Sequence, residues 1–151
     1  MKKIIYILLF ILPLSLFSAS MNKNGIVTKL SHNSVTKTIN ILTKLAEKRG
    51  SKKFTIIDHK KNALKRGNFI IGEAKLIIFS ESNICLNLLK TDPAVGLDLP
   101  LKVLVYVAED KKVYIKYRDP KFLKNIYNLG NTQIALKMSK ILDECTTIAA
   151  K

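Results

Sequence analysis

Along the chain the apolar positions change period several times, and each change marks an element. An unbroken apolar run from Ile4 to Leu12, followed by Pro13, Leu14, Leu16 and Phe17, comes directly after Lys2 and Lys3. From Gly25 to Ser31, Ile26, Thr28 and Leu30 alternate with Val27, Lys29 and Ser31, the two-residue period of a strand with one buried face. Ser34 is placed to cap a helix in which Val35, Ile39, Leu42, Leu45 and Ala46 recur at helical spacing, with Gly50 as its stop. Phe54 to Ile57 reads as a second strand leading into Asp58 and His59, and Lys60 to Arg66 as a short helix ended by Gly67. Ala74 to Phe79 is a continuous β-type apolar run, as in a central strand. Between Ser80 and Pro93 the pattern is ambiguous: Ile84, Leu88 and Leu89 make a helical face, and Leu86 falls off it. Lys102 to Ala108 and Val113 to Arg118, joined through Glu109-Asp110-Lys111-Lys112, predict a hairpin. Asp119-Pro120 is an N-cap followed by proline at the first helical position, opening a short helix with Phe122, Leu123 and Ile126. After a turn around Gly130, a last helix sets Ile134, Met138, Ile141, Leu142, Cys145 and Ile148 on one side.

Strand, helix, a run of strands, then helix is the order of an α+β fold, an antiparallel sheet with helices packed on one face. No internal repeat or linker divides it. A single helical layer leaves the second sheet face open, and that face should be buried against a partner or a ligand. A homodimer is therefore expected.

The opening run changes the picture of where the protein works. A basic start, a short apolar stretch and the small residues Ser18-Ala19-Ser20 predict a secretory signal over residues 1–20, cut after Ser20, with one domain over 21–151. The run is shorter than the roughly 20 apolar residues a membrane span needs, and no cysteine stands nearby to carry a lipid anchor. An exported, periplasmic protein is expected, touching the membrane only through the transient signal or through weak lysine contacts.

Composition then narrows the partners. The chain of 151 residues is 48% apolar, enough for a core, and its formal charge of +15 falls to +13 once Lys2 and Lys3 leave with the signal. Such a field attracts anions. For an exported chain nucleic acid is an unlikely partner, and a small anionic ligand is the better expectation. The lysines are spread out, and no run reaches the five or six like charges of a dedicated binding tail.

Three stretches resemble a known bacterial family when taken together. Ile57-Asp58-His59 is followed by Ala63 and Gly67; Asp92-Pro93 leads into Gly96-Leu97-Asp98-Leu99-Pro100-Leu101-Lys102-Val103-Leu104-Val105-Tyr106; and Tyr117-Arg118-Asp119-Pro120 precedes Leu123. The chain from about Val27 onward resembles the family called domain of unknown function 302, and the Leu-Asp-Leu-Pro-Leu-Lys block is its specific part. The resemblance implies a TATA-binding-protein-like α+β fold and dimers, with no agreed enzymatic activity. Two positions depart from the family pattern. Phe79-Ser80-Glu81-Ser82-Asn83 stands where the family has Phe-Gly-Asn-Pro-Lys, and Tyr127 stands where it tends to carry a histidine.

Candidate chemistry is sparse. Asp58 and His59 lie at a strand end, where an imidazole could serve as base or ligand; equally, Asp58 could cap the helix from Lys60. Asp98 and Lys102 flank Leu99-Pro100-Leu101 and could line a pocket mouth, with Tyr106 and Tyr117 as walls if both face one side. These six, Asp58, His59, Asp98, Lys102, Tyr106 and Tyr117, form the candidate ligand pocket. Cys85 and Cys145 are the only thiols and form a candidate disulfide in an oxidising compartment. Phosphate loops, dinucleotide fingerprints and nucleophile elbows are absent, and two histidines supply little for a metal. No catalytic residue, metal or cofactor is assigned. A non-enzymatic homodimeric binding or accessory module is expected; the alternative is a small enzyme using His59 as general base, with Asp58 or Asp98 orienting it and a tyrosine hydroxyl as acid.

Overall fold

A computed structural model of the chain describes residues 20–50, 54–67, 72–79, 83–131 and 133–151. The signal expected over residues 1–20 lies outside them except for Ser20, as do Ser80, Glu81 and Ser82 of the first family departure.

Six strands form one antiparallel sheet: β1 (Ser20–Met21), β2 (Ile26–Ser31), β3 (Phe54–Asp58), β4 (Ala74–Phe79), β5 (Lys102–Val107) and β6 (Val113–Arg118). Their spatial order is β1-β2-β6-β5-β4-β3. Helices α1 (Val35–Lys48), α2 (His59–Leu64), α3 (Asn83–Thr91) and α4 (Gln133–Ala150), with two 3-10 turns at Pro93–Leu97 and Pro120–Asn125, complete the α+β domain. The predicted elements are all present. β1 was not foreseen, because two residues are too few to show a period; Ser20 and Met21 pair with Thr28 and Val27.

Register decides which residues meet. Val27 pairs with Tyr117, Tyr117 with Val103 and Val103 with Ile77, so all four share one face. One step along, Lys29, Ile115 and Val105 do the same. Helices α1 and α4 cover this face through Val35, Ile39, Leu42, Leu142, Cys145 and Ala149. Ile77, Val103, Val105 and Ile115 are fully buried, each contributing on the order of 1.5–3 kcal/mol by leaving water. Ser34 accepts the Lys37 amide at 3.2 Å to start α1, and Gly50 follows its end at φ +86°, a conformation that costs glycine little.

The ambiguous segment resolves as helix α3. Cys85 and Leu88 point inward, while Leu86 is 43% exposed, which explains its poor fit to the stripe. With Val95, Leu99, Leu123, Leu129 and Met138 they build a second cluster at the end of the sheet. The peptide Leu99-Pro100 there is cis. Asp119 caps the 3-10 turn at Pro120 through the Lys121 amide. Gly25, at φ +73°, leaves room for the Phe122 ring, which any Cβ at position 25 would overlap.

Two expectations are corrected. Cys85 and Cys145 are both buried but belong to different clusters and are not joined to each other. Each thiol fills apolar volume in its own cluster, and burial pushes the Cys145 thiol up. Ile148 is 46% exposed, not part of the buried side of α4. The buried positions there are Ala135, Met138, Ser139, Leu142, Cys145, Thr146 and Ala149. Among them the Thr146 hydroxyl meets the polar group that β2 sends toward the helix.

Candidate functional site: the uncovered sheet face

The residues that alternate with the core positions form a three-row grid on the opposite face. The middle row runs Thr28, Lys116, Leu104, Leu76, Ile57 across five strands. On one side lies Leu30, Tyr114, Tyr106, Ala74. On the other, Arg118 pairs with Ile26 and Lys102 with Ile78, which faces Thr55. These side chains are half-buried, Thr55 more exposed, and none belongs to either buried cluster.

Charge on this face is segregated. Lys102, Lys116 and Arg118 sit together on β5 and β6, while Leu104, Leu76, Ile78 and Ile57 extend toward β3. The Arg118 Nε donates to Asp98 Oδ1 at 2.9 Å, and its Nη1 to the Asn24 carbonyl at 2.7 Å. Tyr127 donates its hydroxyl to the other oxygen of Asp98 at 2.8 Å; that bond raises the Tyr127 pKa. Tyr127 thus fastens Asp98. Lys102 donates to the carbonyls of Asp98 and Pro100 at 3.3 and 3.2 Å. Lys116 instead lies over the Tyr106 ring, 5.4 Å from its centre, a cation–π contact that leaves its charge without a carboxylate partner among the described residues. Tyr114 packs beside Tyr106 with ring centres 6.1 Å apart and donates to Asp110 at 2.8 Å.

The six residues expected to converge do so only in part. Asp98, Lys102 and Tyr106 border or occupy this face. Tyr117 does not: its register with Val27 and Val103 puts it on the helix side, where it is 4% exposed. Tyr106 pairs with Tyr114, three residues before Tyr117, and an odd offset along a strand reverses the face. Asp58 and His59 stand at the far edge strand. Asp58 Oδ1 accepts the Lys61 amide at 2.8 Å as the N-cap of α2, and its Oδ2 lies 3.9 Å from Lys75 Nζ. His59 is exposed at the start of that helix. Lys116 and Arg118 were missed as site residues. The sequence signal that could have found them is their parity with Tyr114, which places three polar-ended side chains at alternate positions of one strand.

A buried polar cluster on the other face was also missed. Lys29, 8% exposed, donates to Asp143 Oδ1 at 2.7 Å, the Asp143 carbonyl at 2.8 Å, Thr146 Oγ1 at 2.8 Å and Thr147 Oγ1 at 2.7 Å. Tyr117 donates to the same carboxylate at 3.2 Å. Burial pushes the Tyr117 pKa up. For Asp143 partial burial raises the pKa, but the Lys29 hydrogen bond and charge outweigh it and the net shift is down. Every donor of Lys29 is answered within the protein, so this cluster joins β2 to α4 and is not open to a ligand. An open groove of about 460 Å³ lies at the hairpin end, lined in part by His32, Lys111 and Lys112. Among the described residues no group of three or more His, Cys, Asp and Glu side chains could hold a metal ion.

Among the described residues, α1 and α4 cover one face of the antiparallel sheet and the other face bears Lys102, Lys116 and Arg118, in an α+β domain. Residues 26–145 match the family described as Domain of unknown function DUF302, and the chain belongs to that family. A crystal structure of an uncharacterised conserved DUF302 protein from Bacillus stearothermophilus has the same fold, with a TM-score of 0.69 at 17% identity over 84% of this chain and 98% of that one. Proteins named fluoride-specific ion channel FluC 1 from Brucella suis and Brucella abortus are each 32% identical over 120 residues, or 79% of this chain. The chain spans only 47% and 44% of their lengths. Among the described residues no helix is long and apolar enough to cross a membrane.

Proposed function

We propose that the protein is an exported, periplasmic, non-enzymatic module that binds a small anionic ligand on its uncovered sheet face and works as a homodimer. The observation that carries this reading is the charge of Lys116, which no carboxylate of the described residues answers and which stands one row from the Lys102–Arg118 pair, on a face whose apolar residues belong to neither core cluster. A cation on a half-buried surface favours an anion more strongly than one in open water. Two copies closing over the ligand would bury the leucines and isoleucines of the same face.

The enzyme alternative requires a carboxylate to hold the His59 imidazole. Asp58 is occupied by the Lys61 amide and the Lys75 ammonium, and Asp98 by Arg118 and Tyr127. The channel named in the Brucella proteins is not carried over, since this chain spans less than half of them. Export rests on the signal-like start, and a cut after Ser20 would separate the two residues of β1.

Native mass spectrometry of the protein recovered from periplasmic extract tests the reading. A dimer that begins at Met21 and carries extra mass is expected. A full-length chain retained in the cytoplasm would overturn export, and a bare monomer would overturn the dimer and any tightly held ligand.

A further inference from the structure

We infer that the anion is the head of a single-chain amphiphile, a long-chain carboxylate whose apolar chain lies along Leu104, Leu76 and Ile57. This deepens the reading that the face binds an anion and rests on it. A purely hydrophilic anion would satisfy Lys116 and leave the apolar half of the grid as wet as before. A second copy alone would cover the apolar half but would bring two sets of Lys102 and Lys116 into one closed interface, where like charges repel. A carboxylate with a tail answers both halves at once.

The geometry also sets a length. Lys116, Leu104, Leu76 and Ile57 are successive members of one row, on β6, β5, β4 and β3. Three interstrand steps of about 4.8 Å make about 14 Å, the reach of an extended chain of about a dozen carbons. Lys116 and Arg118 stand at the β6 end of that path, and Lys102 flanks it, so the head belongs there and the tail points to the β3 edge. Ile78, next to Leu76 and Ile57 on the grid, widens the apolar track.

Calorimetric titration with dodecanoate below its micellar concentration tests this, beside butyrate, inorganic phosphate and dodecyltrimethylammonium. Dodecanoate should bind saturably, at least about tenfold tighter than butyrate or phosphate, and the cationic amphiphile should not compete. Lys116→Glu, and more mildly Lys116→Gln, should weaken dodecanoate by about tenfold or more, the scale of one charge-assisted hydrogen bond, with circular dichroism unchanged. If butyrate or phosphate binds as well as dodecanoate, the amphiphile inference falls and the small-anion reading stands. If no anion binds, both fall. Equal binding of dodecyltrimethylammonium, or full binding by both Lys116 variants, would show apolar adsorption and overturn the assignment.

Discussion

Lys29 and Lys116 stand in neighbouring rows of the sheet, since Lys29 pairs with Ile115 and Lys116 with Thr28. Their surroundings are opposite. Lys29 is buried against α4 and finds four oxygens, one of them the Asp143 carboxylate. Lys116 is half-buried on the uncovered face and finds the ring of Tyr106. A buried ammonium must be fully answered by its own chain or the fold loses several kcal/mol. A half-buried one can be left for something from outside. The same residue type therefore serves architecture on one face and, on the other, is left without a carboxylate partner among the described residues; burial together with the list of partners tells them apart.

The largest test sets the two faces against each other with adjacent residues of β4. Ile77 is fully buried beneath α1, and Leu76 is half-buried on the grid. Ile77→Ala should destabilise the domain by about 2–5 kcal/mol, the transfer loss plus a cavity. Leu76→Ala should cost the monomer about 1 kcal/mol or less, because water already reaches that side chain there. Urea midpoints of the two variants measure the difference. Equal losses would mean that the grid is as buried as the core, and the distinction between the faces would fail.

A smaller effect belongs to the Lys29 cluster. Asp143→Ala removes one charge-assisted bond but leaves Lys29 the Thr146 and Thr147 hydroxyls and a backbone carbonyl. With the Asp143 side chain 58% exposed, solvent screening holds the loss to about 1–2 kcal/mol. The pH dependence has a fixed sign. The Asp143 pKa is lowered in the folded state from its ordinary 3.8, so its contribution is complete above that value and disappears as pH falls through the lower folded one. Tyr117 is raised from 10.0, so above about pH 10 the unfolded chain releases a proton that the folded one keeps, and stability falls. Asp143→Ala should flatten the acid limb of a stability–pH curve and Tyr117→Phe the alkaline limb. An acid limb unchanged in Asp143→Ala would remove that carboxylate from the account.

Much of the fold was legible because period and caps are local. Ser34, Asp58 and Asp119 all cap where their neighbours suggest. The site was less legible because it depends on parity across strands that are distant in sequence. Tyr106 and Tyr117 look equivalent along the chain, and only the register Val103–Tyr117 shows that they face opposite ways. Alternation in β2 likewise offered Ile26, Thr28 and Leu30 or Val27, Lys29 and Ser31 as the inner set. The set containing the lysine is the buried one, because Asp143, Thr146 and Thr147 wait on α4 more than a hundred residues later. The two cysteines share composition and compartment but not a cluster, a separation that counting thiols cannot reveal.

The smallest expected effect is also the sharpest for the comparison. Lys116→Gln deletes a charge that no carboxylate of the described residues answers, together with the ammonium that lies over the Tyr106 ring, and keeps the first part of the stem. What the fold loses is one exposed cation–π contact, on the order of 0.5–1 kcal/mol. What it gains is a little less repulsion from Lys102 and Arg118 in a chain of formal charge +15. The two nearly cancel, so the urea midpoint should move by less than about 0.5 kcal/mol of stability, as for other surface changes. A loss above about 1 kcal/mol would place Lys116 with Lys29 as part of the architecture, and the charge on the uncovered face would then need no ligand to explain it.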